Sequence, residues 1–257
     1  MLRQRLYRLV LYLFFFTSIF SLSTAIRTNN TINGRKLPIY SVETSDKKIS
    51  LSFDAAWGNK DLDTILQILE QYHVKTTFFM TGGWIESYPQ EVLKIQNAGH
   101  ELANHSENHK NMSSLSSSQC KEEIMSTHQR IRELTGTSMD LFRPPYGDYN
   151  NTVIQAASDC GYYSVQWSVD SLDWKDYGVD SIIQTVTEHP ELKPGAIILL
   201  HNGAKYTAQA LPFIIEKLQT AGYQIVPVSE LIYKENYYLD TSGKQFLKRK
   251  SGGDSAS

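Results

Sequence analysis

The chain is predicted to adopt an α/β fold in which parallel strands close into a barrel. Strand-like and helix-like segments alternate along its body from residue 48 to residue 226, and such alternation is typical of parallel strands joined by crossover helices. About seven repeats of this βα unit favour a closed barrel over an open sheet. Chemically reactive side chains also follow several predicted strands, which is where the working face of such a barrel lies.

Composition limits the classes of protein and partner that need to be considered. The chain has 257 residues, of which 41% are hydrophobic and 20% charged, with a net charge of −2. These values are typical of a soluble globular protein and are compatible with one large domain. The charge gives no indication of nucleic-acid binding, and no glycine-rich phosphate-binding motif is present. Neither nucleic acid nor a nucleotide is therefore an expected partner.

Residues 1–25 differ from the rest of the chain. Three arginines precede an apolar run from Leu9 to Phe20, and small residues follow at positions 23–25. This order is typical of a secretory signal peptide. The run is shorter than the roughly 20 residues that span a bilayer, although an uncleaved signal anchor stays open. We expect an exported protein, either extracellular, in the cell wall or anchored facing outward, with membrane contact only through this segment.

The first half of the body predicts three strands and three helices. Residues 26–46 are polar and irregular and predict a linker or an arm packed on the domain. β-Branched, aromatic or alternating residues then predict strands, at Lys48–Phe53, Lys75–Met80 and within Gly99–His105. Apolar residues at helical spacing predict helices, and a proline or a glycine marks several of their ends, at Asp61–Tyr72, Pro89–Gly99 and Ser116–Leu134.

The second half continues the same alternation. Strands are predicted at Met139–Phe142, Tyr162–Trp167, Gly195–Leu200 and Gln224–Val226, and helices at Thr152–Cys160, Asp180–His189 and Thr207–Ala221. Residues 47–234 therefore form the predicted domain, and residues 235–257 a C-terminal tail. Two cysteines, Cys120 and Cys160, have no metal-ligand spacing, and whether they pair stays open.

A pair of histidines gives the first indication of chemistry. His105 and His109 lie four residues apart, downstream of Asp54, which closes the first predicted strand. On a helical turn this spacing would place both imidazoles on one face, where they could chelate one metal ion. Two histidines can equally decorate a surface turn, because so short a pattern often occurs without function.

Five reactive residues follow predicted strands and should meet at one rim. Each has an ordinary structural explanation when taken alone: an acid can cap a helix, an arginine can anchor a turn, and a histidine can be satisfied in the core. Their convergence on the carboxyl ends of the strands favours a hydrolytic site. The residues are Asp54, His105, Arg143, Asp173 and His201.

Five short segments then carry a resemblance to a known family. FDAAWG, HSENH, RPPYG, DSLDW and LLHNG occur in this order, and residues 46–232 resemble the polysaccharide deacetylase family with the NodB homology domain, or carbohydrate esterase family 4. The FDAAWG variant is most similar to the sporulation-associated deacetylases of spore-forming Gram-positive bacteria. The resemblance implies a distorted (β/α)-barrel that removes acetyl groups from N-acetylated sugars such as those of peptidoglycan or chitin.

The resemblance also implies roles for individual residues. His105 and His109 would hold a divalent metal ion, with zinc favoured and cobalt or another divalent ion also suited to imidazole ligands. Asp54 would be the general base, held by Arg143, and the backbone N–H of Tyr146 would bind the oxyanion. His201 would be the general acid, oriented by Asp173, with Asp170 less favoured. Trp174 and Leu199 would wall the acetyl pocket.

Ala55 departs from the family pattern. The family has two adjacent acids in the first motif, and the second, a metal ligand, is alanine here. Another acid such as Glu107 or Asp148 could reach in, Asp54 could ligate, or water could fill the position. Besides a metal-assisted N-deacetylase, which we expect to be monomeric, two alternatives stay open. One is a catalytically impaired glycan-binding module on the same fold, and the other is a hydrolase for another small amide or a lactam-forming cell-wall modifier.

Overall fold

The structure is a computed structural model that describes residues 31–32 and 34–248 of the chain. Residues 1–25, where the sequence predicts a signal peptide or signal anchor, lie outside the described residues. Among the residues that are described, no helix combines the length and apolar character needed to cross a bilayer. Cys120 and Cys160 are both free thiols.

The described residues form thirteen strands and eight α-helices. The strands are β1 (Thr31–Ile32), β2 (Arg35–Lys36), β3 (Ser41–Val42), β4 (Lys48–Ala55), β5 (Thr77–Met80), β6 (Glu101–Asn104), β7 (Leu141–Phe142), β8 (Tyr163–Ser164), β9 (Val169–Asp170), β10 (Ile197–His201), β11 (Gln224–Ile225), β12 (Tyr237–Leu239) and β13 (Lys244–Leu247). The helices are α1 (Leu62–Gln71), α2 (Gly82–Ser87), α3 (Pro89–Asn97), α4 (Ser117–Thr135), α5 (Asn151–Asp159), α6 (Val179–Thr187), α7 (Thr207–Thr220) and α8 (Val228–Leu231).

A curled parallel sheet forms the centre of the molecule and confirms the distorted (β/α)-barrel expected from the sequence. Seven strands lie in the order β8-β7-β6-β5-β4-β10-β9, and β11 pairs with the start of β4. The register places His201 of β10 beside Asp54 of β4, and Asp54 beside Phe79 of β5. Because the strands run parallel, their carboxyl ends meet at one rim, where these side chains gather.

Strand β4 separates two buried layers. Its alternate residues Ile49, Leu51, Phe53 and Ala55 belong to the large apolar cluster that the helices share with the sheet. The residues between them, which include Ser52 and Asp54, are buried but polar. Since successive strand residues point to opposite faces, β4 directs its polar residues into the barrel and its apolar residues toward the helices.

The predicted N-terminal arm closes the gap between β8 and β10. Ile39 N–H donates to Ser164 O at 2.8 Å, Gln166 N–H donates to Ile39 O at 2.7 Å, and Val42 N–H donates to Gly195 O at 2.9 Å. The side chains of Ile39 and Val42 are buried in the apolar cluster inside the barrel. Residues 39–42 therefore act as part of the barrel wall.

Several elements differ from the sequence-based expectation. Two strands, β12 and β13, lie within residues 235–248, where the sequence predicts a tail, and they form a three-stranded sheet with β3. Helix α2 also lies outside the predicted set. It begins with two glycines, which are poor helix formers, and is capped by Thr81, whose Oγ1 accepts a hydrogen bond from Trp84 N–H at 3.1 Å. Strand β9 has only two residues, too few for a recognisable pattern.

Candidate active site

Asp54 and Arg143 form a buried ion pair at the rim of the barrel. Asp54 is the penultimate residue of β4, and Arg143 follows β7 directly. Arg143 Nη1 lies 2.6 Å from Asp54 Oδ1, and its Nη2 donates to Ser52 Oγ at 2.8 Å. Burial disfavours the charged carboxylate, but the charge and hydrogen bond of Arg143, together with the neighbouring His105 and His201, outweigh burial and lower the pKa of Asp54 below its usual value. The carboxylate is therefore ionised at neutral pH.

His105 presents one ring nitrogen toward Asp54. Its Nδ1 lies 2.7 Å from the carbonyl oxygen of Arg143, an acceptor that requires Nδ1 to carry the proton. The other ring nitrogen, Nε2, lies 3.4 Å from Asp54 Oδ2. Burial lowers the pKa of His105 although the charge of Asp54 opposes it. A neutral imidazole with Nδ1 fixed by a carbonyl is the form in which histidine binds metals.

His109 reaches His105 through a loop, so the helical turn considered in the sequence analysis is absent from residues 105–111. Ser106 and His109 have positive φ angles of 68° and 52°, and His109 N–H donates to Ser106 Oγ at 3.1 Å. The two imidazole centroids lie 5.0 Å apart. Burial and then the neighbouring His105 lower the pKa of His109 to about 4, so both rings are neutral at neutral pH.

Helix α4 forms hydrogen bonds with the loop between His105 and His109. The carboxylate of Glu107 accepts hydrogen bonds from Arg130 Nε at 2.6 Å and Thr127 Oγ1 at 3.1 Å. The backbone and side-chain amides of Asn108 donate to the two oxygens of Glu123 at 2.8 and 2.9 Å. These contacts fix the loop between the two histidines and explain how a non-helical segment brings them together.

His201 and Asp173 form the second charged pair of the rim. His201 ends β10, and its Nδ1 lies 2.7 Å from Asp173 Oδ1. Asp173 Oδ2 accepts hydrogen bonds from His201 N–H at 2.8 Å and from Thr207 Oγ1 at 2.6 Å. Burial alone would lower the pKa of His201, but the hydrogen bond and charge of Asp173 outweigh it and raise that pKa. Asp170, the less favoured orienting acid, instead accepts a hydrogen bond from Leu172 N–H at 2.9 Å.

Most of the site residues predicted from the sequence line one cleft of about 410 Å³. Tyr146 has a φ of 60° and is 67% exposed at its edge, and its ring lies 4.4 Å from that of His109. Arg143 and Asp173 lie behind this surface and contact it through Asp54 and His201. The cleft is lined by Asp54, Trp57, His105, His109, Tyr146, Trp167, Asp170, Trp174, Leu199 and His201.

A third, acidic metal ligand is absent from the residues that the structure describes. They contain no group of three or more His, Cys, Asp or Glu arranged to hold a metal ion. Ala55 is fully buried, Glu107 is engaged by Arg130, and Asp148 Oδ2 accepts a hydrogen bond from Ser113 N–H at 2.9 Å. Of the acids considered from sequence, neither Glu107 nor Asp148 lines the cleft.

Two contributors to the site lie outside the set of site residues predicted from the sequence. Trp57 stacks on His201, with ring centroids 5.1 Å apart and 26° between the planes. Ser52 receives the second hydrogen bond of Arg143. The tryptophan lies three residues after Asp54, a spacing that indicates no shared face on a strand, and Ser52 looks like any small strand residue. Only the inward alternation of β4 could have pointed to Ser52.

Comparison with known sequences identifies relatives of this chain. The sequence model of the family described as polysaccharide deacetylase matches residues 41–165. A peptidoglycan-N-acetylglucosamine deacetylase of Bacillus cereus is 34% identical, over 75% of this chain and 92% of that protein. The peptidoglycan-N-acetylmuramic acid deacetylase PdaA of Bacillus subtilis is 30% identical, over 78% of this chain and 77% of PdaA. The uncharacterised Bacillus subtilis protein YlxY is 34% identical over 76% of this chain, which spans 60% of YlxY.

Solved structures show the same fold. Wild-type BA3943 of Bacillus anthracis, described as a CE4 family pseudoenzyme, is 34% identical and superimposes with a TM-score of 0.73, covering 77% of this chain and 70% of BA3943. A mutant of BA3943, described as having restored enzymatic activity, is 35% identical with a TM-score of 0.73, covering 77% of this chain and 72% of the mutant.

Proposed function

The chain belongs to the polysaccharide deacetylase family, and we propose that it removes acetyl groups from the amino sugars of a cell-wall glycan, with peptidoglycan as the favoured substrate. Relatives that are named peptidoglycan deacetylases match it at 30–34% identity, and it is accordingly a hydrolase of carbon–nitrogen bonds other than peptide bonds. The observation that carries the proposal is one cleft that holds both an ionised Asp54 and a His201 whose pKa is raised.

These two groups can perform the two proton transfers of amide hydrolysis. The ionised Asp54 takes a proton from water as its oxygen attacks the acetyl carbon. The protonated His201 gives its proton to the sugar nitrogen as the carbon–nitrogen bond breaks, which releases acetate and a free amine. Arg143 keeps Asp54 oriented and charged, and Asp173 does the same for His201. The backbone N–H of Tyr146 is assigned to the developing oxyanion.

A divalent metal ion fits the histidines, and we assign zinc, with cobalt as the alternative. His105 and His109 are both neutral, and His105 has Nε2 free of its own proton, so they supply two imidazole ligands. When bound, the ion would lower the pKa of a water molecule and polarise the acetyl carbonyl. Two protein ligands are fewer than the three of ordinary catalytic zinc sites, so affinity should be lower.

The cellular setting is part of the proposal. The signal-like residues 1–25 support export, so that the domain meets the wall outside the membrane. The FDAAWG segment supports a place among the sporulation-associated deacetylases. We assign a glycan as the partner, membrane contact only through the N-terminal segment, and a monomeric state.

Acetate release from N-acetylglucosamine oligomers and from peptidoglycan tests the function. The full-length protein should release acetate, and zinc or cobalt should stimulate it. Asp54→Asn should lower the rate at least about 100-fold, since it removes the base. Asp63→Asn is the matched control, because Asp63 is 75% exposed and pairs with Lys94 at the surface. Equal rates for wild type and Asp54→Asn would contradict the assigned base.

A glycan-binding module without activity is the second candidate, and Ala55 is the observation that favours it. The chain lacks the second acid of the first motif, and BA3943, a relative of similar fold, is described as a pseudoenzyme. Retention of the complete Asp54–Arg143 and His201–Asp173 pairs favours activity instead. Absence of acetate with every metal, together with measurable oligosaccharide binding, would decide for the binding module.

A further inference from the structure

Trp57 lies face to face with the proposed general acid. Its indole is 41% exposed, yet it stacks on the His201 imidazole with centroids 5.1 Å apart and 26° between the ring planes. This distance lies within the range of aromatic pairs that attract each other. Both rings line the cleft. Trp57 therefore combines a largely exposed indole with a contact to one face of the His201 ring.

The backbone holds Trp57 in this position. Gly203, two residues after His201, has a φ of +80°, and a Cβ there would lie 2.5 Å from the carbonyl oxygen of Trp57. Gly203 N–H donates to both oxygens of Asp61, at 2.8 and 2.9 Å. The carbonyl of Gly58 accepts from Asn202 Nδ2 at 3.0 Å. The loop after β4 and the loop after β10 are therefore joined at several points, and the stack follows from that connection.

From this geometry we propose that Trp57 is a positioning residue that holds the His201 ring against Asp173 and favours its charged form. The proposal rests on the proposed function. The face of an indole attracts a cation placed over it, whereas an aliphatic side chain of similar bulk covers the ring without this attraction. Trp57 also shields one face of His201 from water while leaving its Nδ1 bonded to Asp173.

The ionisable groups around His201 stay the same when Trp57 is replaced. The groups that interact electrostatically with His201 lie on several elements. They are Asp54, His105, His109, Asp170 and Asp173. Trp57 carries no charge, so its replacement leaves these groups in place. A change in the titration of His201 would then report the loss of the aromatic face.

Comparison of Trp57→Leu with Trp57→Phe isolates this effect, because both cover His201 and only phenylalanine keeps an aromatic face. The pKa of His201 is measured by NMR in full-length protein, with His201→Gln used to assign its signal. Trp57→Leu should lower that pKa by about half a unit, and Trp57→Phe should change it much less. Tyr177→Leu is the control for loss of an exposed aromatic residue that does not line the cleft, since Tyr177 is 64% exposed, and it should have no effect.

Kinetics on N-acetylglucosamine oligomers provide the second measurement. Trp57→Leu should lower kcat about tenfold with KM within about twofold, and the upper pH limit of activity should move down with the pKa. An unchanged His201 pKa in Trp57→Leu, with the loss confined to KM, would overturn the proposal and make Trp57 a sugar platform. Absence of acetate from wild-type protein would reject the proposed function, whereas the NMR titration would still decide the role of Trp57.

Discussion

Ala55 is the residue on which the chemistry of this molecule depends most. It is fully buried at the end of β4 and belongs to the apolar cluster shared with the helices. Its carbonyl oxygen accepts a hydrogen bond from Thr81 N–H at 3.1 Å. The adjacent Asp54 is turned to the other face of the strand, where Arg143 holds it. The side chain of Ala55 can therefore be changed without altering the contacts of Asp54.

We predict that Ala55→Asp tightens zinc binding by at least about tenfold, because the family pattern has its third, anionic metal ligand at this position. In the presence of a chelator the same variant should lose about 2 kcal/mol of unfolding free energy, since it buries an unpaired carboxylate. Titration calorimetry with zinc and urea unfolding measure the two effects. Ala55→Asn is the control of equal size without the charge. Equal zinc affinities for the Asp and Asn variants would show that residue 55 does not supply the third ligand.

At the residue scale, the motifs indicated which side chains meet but not how they meet. Asp54, Arg143 and His201 could be predicted because each lies at or directly after the carboxyl end of a strand in a parallel sheet. That His105 and His109 lie together was also predicted, but the loop that joins them was not, because it depends on two left-handed backbone residues and on hydrogen bonds with α4. The stack of Trp57 on His201 depends on Gly203, whose significance appears only when two distant loops are brought together.

At the element scale, hydrophobic periodicity predicted the long elements well. Strand β4 and helices α1, α4 and α7 lie within one or two residues of their predicted positions, since each has an apolar face that repeats over several turns or residues. The unpredicted strands β1, β2, β3 and β9, of two residues each, and the six-residue α2 are too short to carry such a pattern. The closing contact of residues 39–42 was also inaccessible, because it is made by backbone groups rather than by a distinctive sequence.

That closing contact predicts an unusual sensitivity at Gly195. Its φ is +86°, and a Cβ there would lie 1.7 Å from the carbonyl oxygen of Val42. Gly195→Ala should therefore lower the free energy of unfolding by at least about 3 kcal/mol, because a backbone atom of the arm must move and its neighbouring hydrogen bonds must weaken. Urea unfolding of the full-length protein measures this loss.

Gly222 offers a matched control for the Gly195 prediction. Its φ is +83°, but a Cβ there would meet only the flexible side chain of Lys47, at 3.6 Å. Gly222→Ala should cost about 1 kcal/mol, which is the strain of the left-handed conformation alone. If the two alanine variants lost equal stability, the arm would not be packed against β10 as described.

At the scale of the whole molecule, buried neutral histidines connect stability to pH. His100 lies at the start of β6, remote from the cleft, and its Nδ1 accepts a hydrogen bond from Thr76 N–H at 3.2 Å. Only the neutral ring can accept this bond. Burial, and then the charge of Lys75, lower the pKa of His100 to about 4. The unfolded chain therefore binds a proton near pH 6.5 that the folded protein binds only near pH 4.

The contribution of His100 should be fully present above about pH 6.5 and should be lost as pH falls toward 4, which corresponds to about 3 kcal/mol. His100→Asn keeps an acceptor for Thr76 but cannot be protonated, so it should flatten the pH dependence of unfolding between these values. The comparison uses the slope rather than the absolute stability, because loss of the ring contact with Phe78 lowers stability at every pH. His73→Asn, at an exposed position, should keep the wild-type slope. An unchanged slope in His100→Asn would show that the other buried histidines account for the pH dependence.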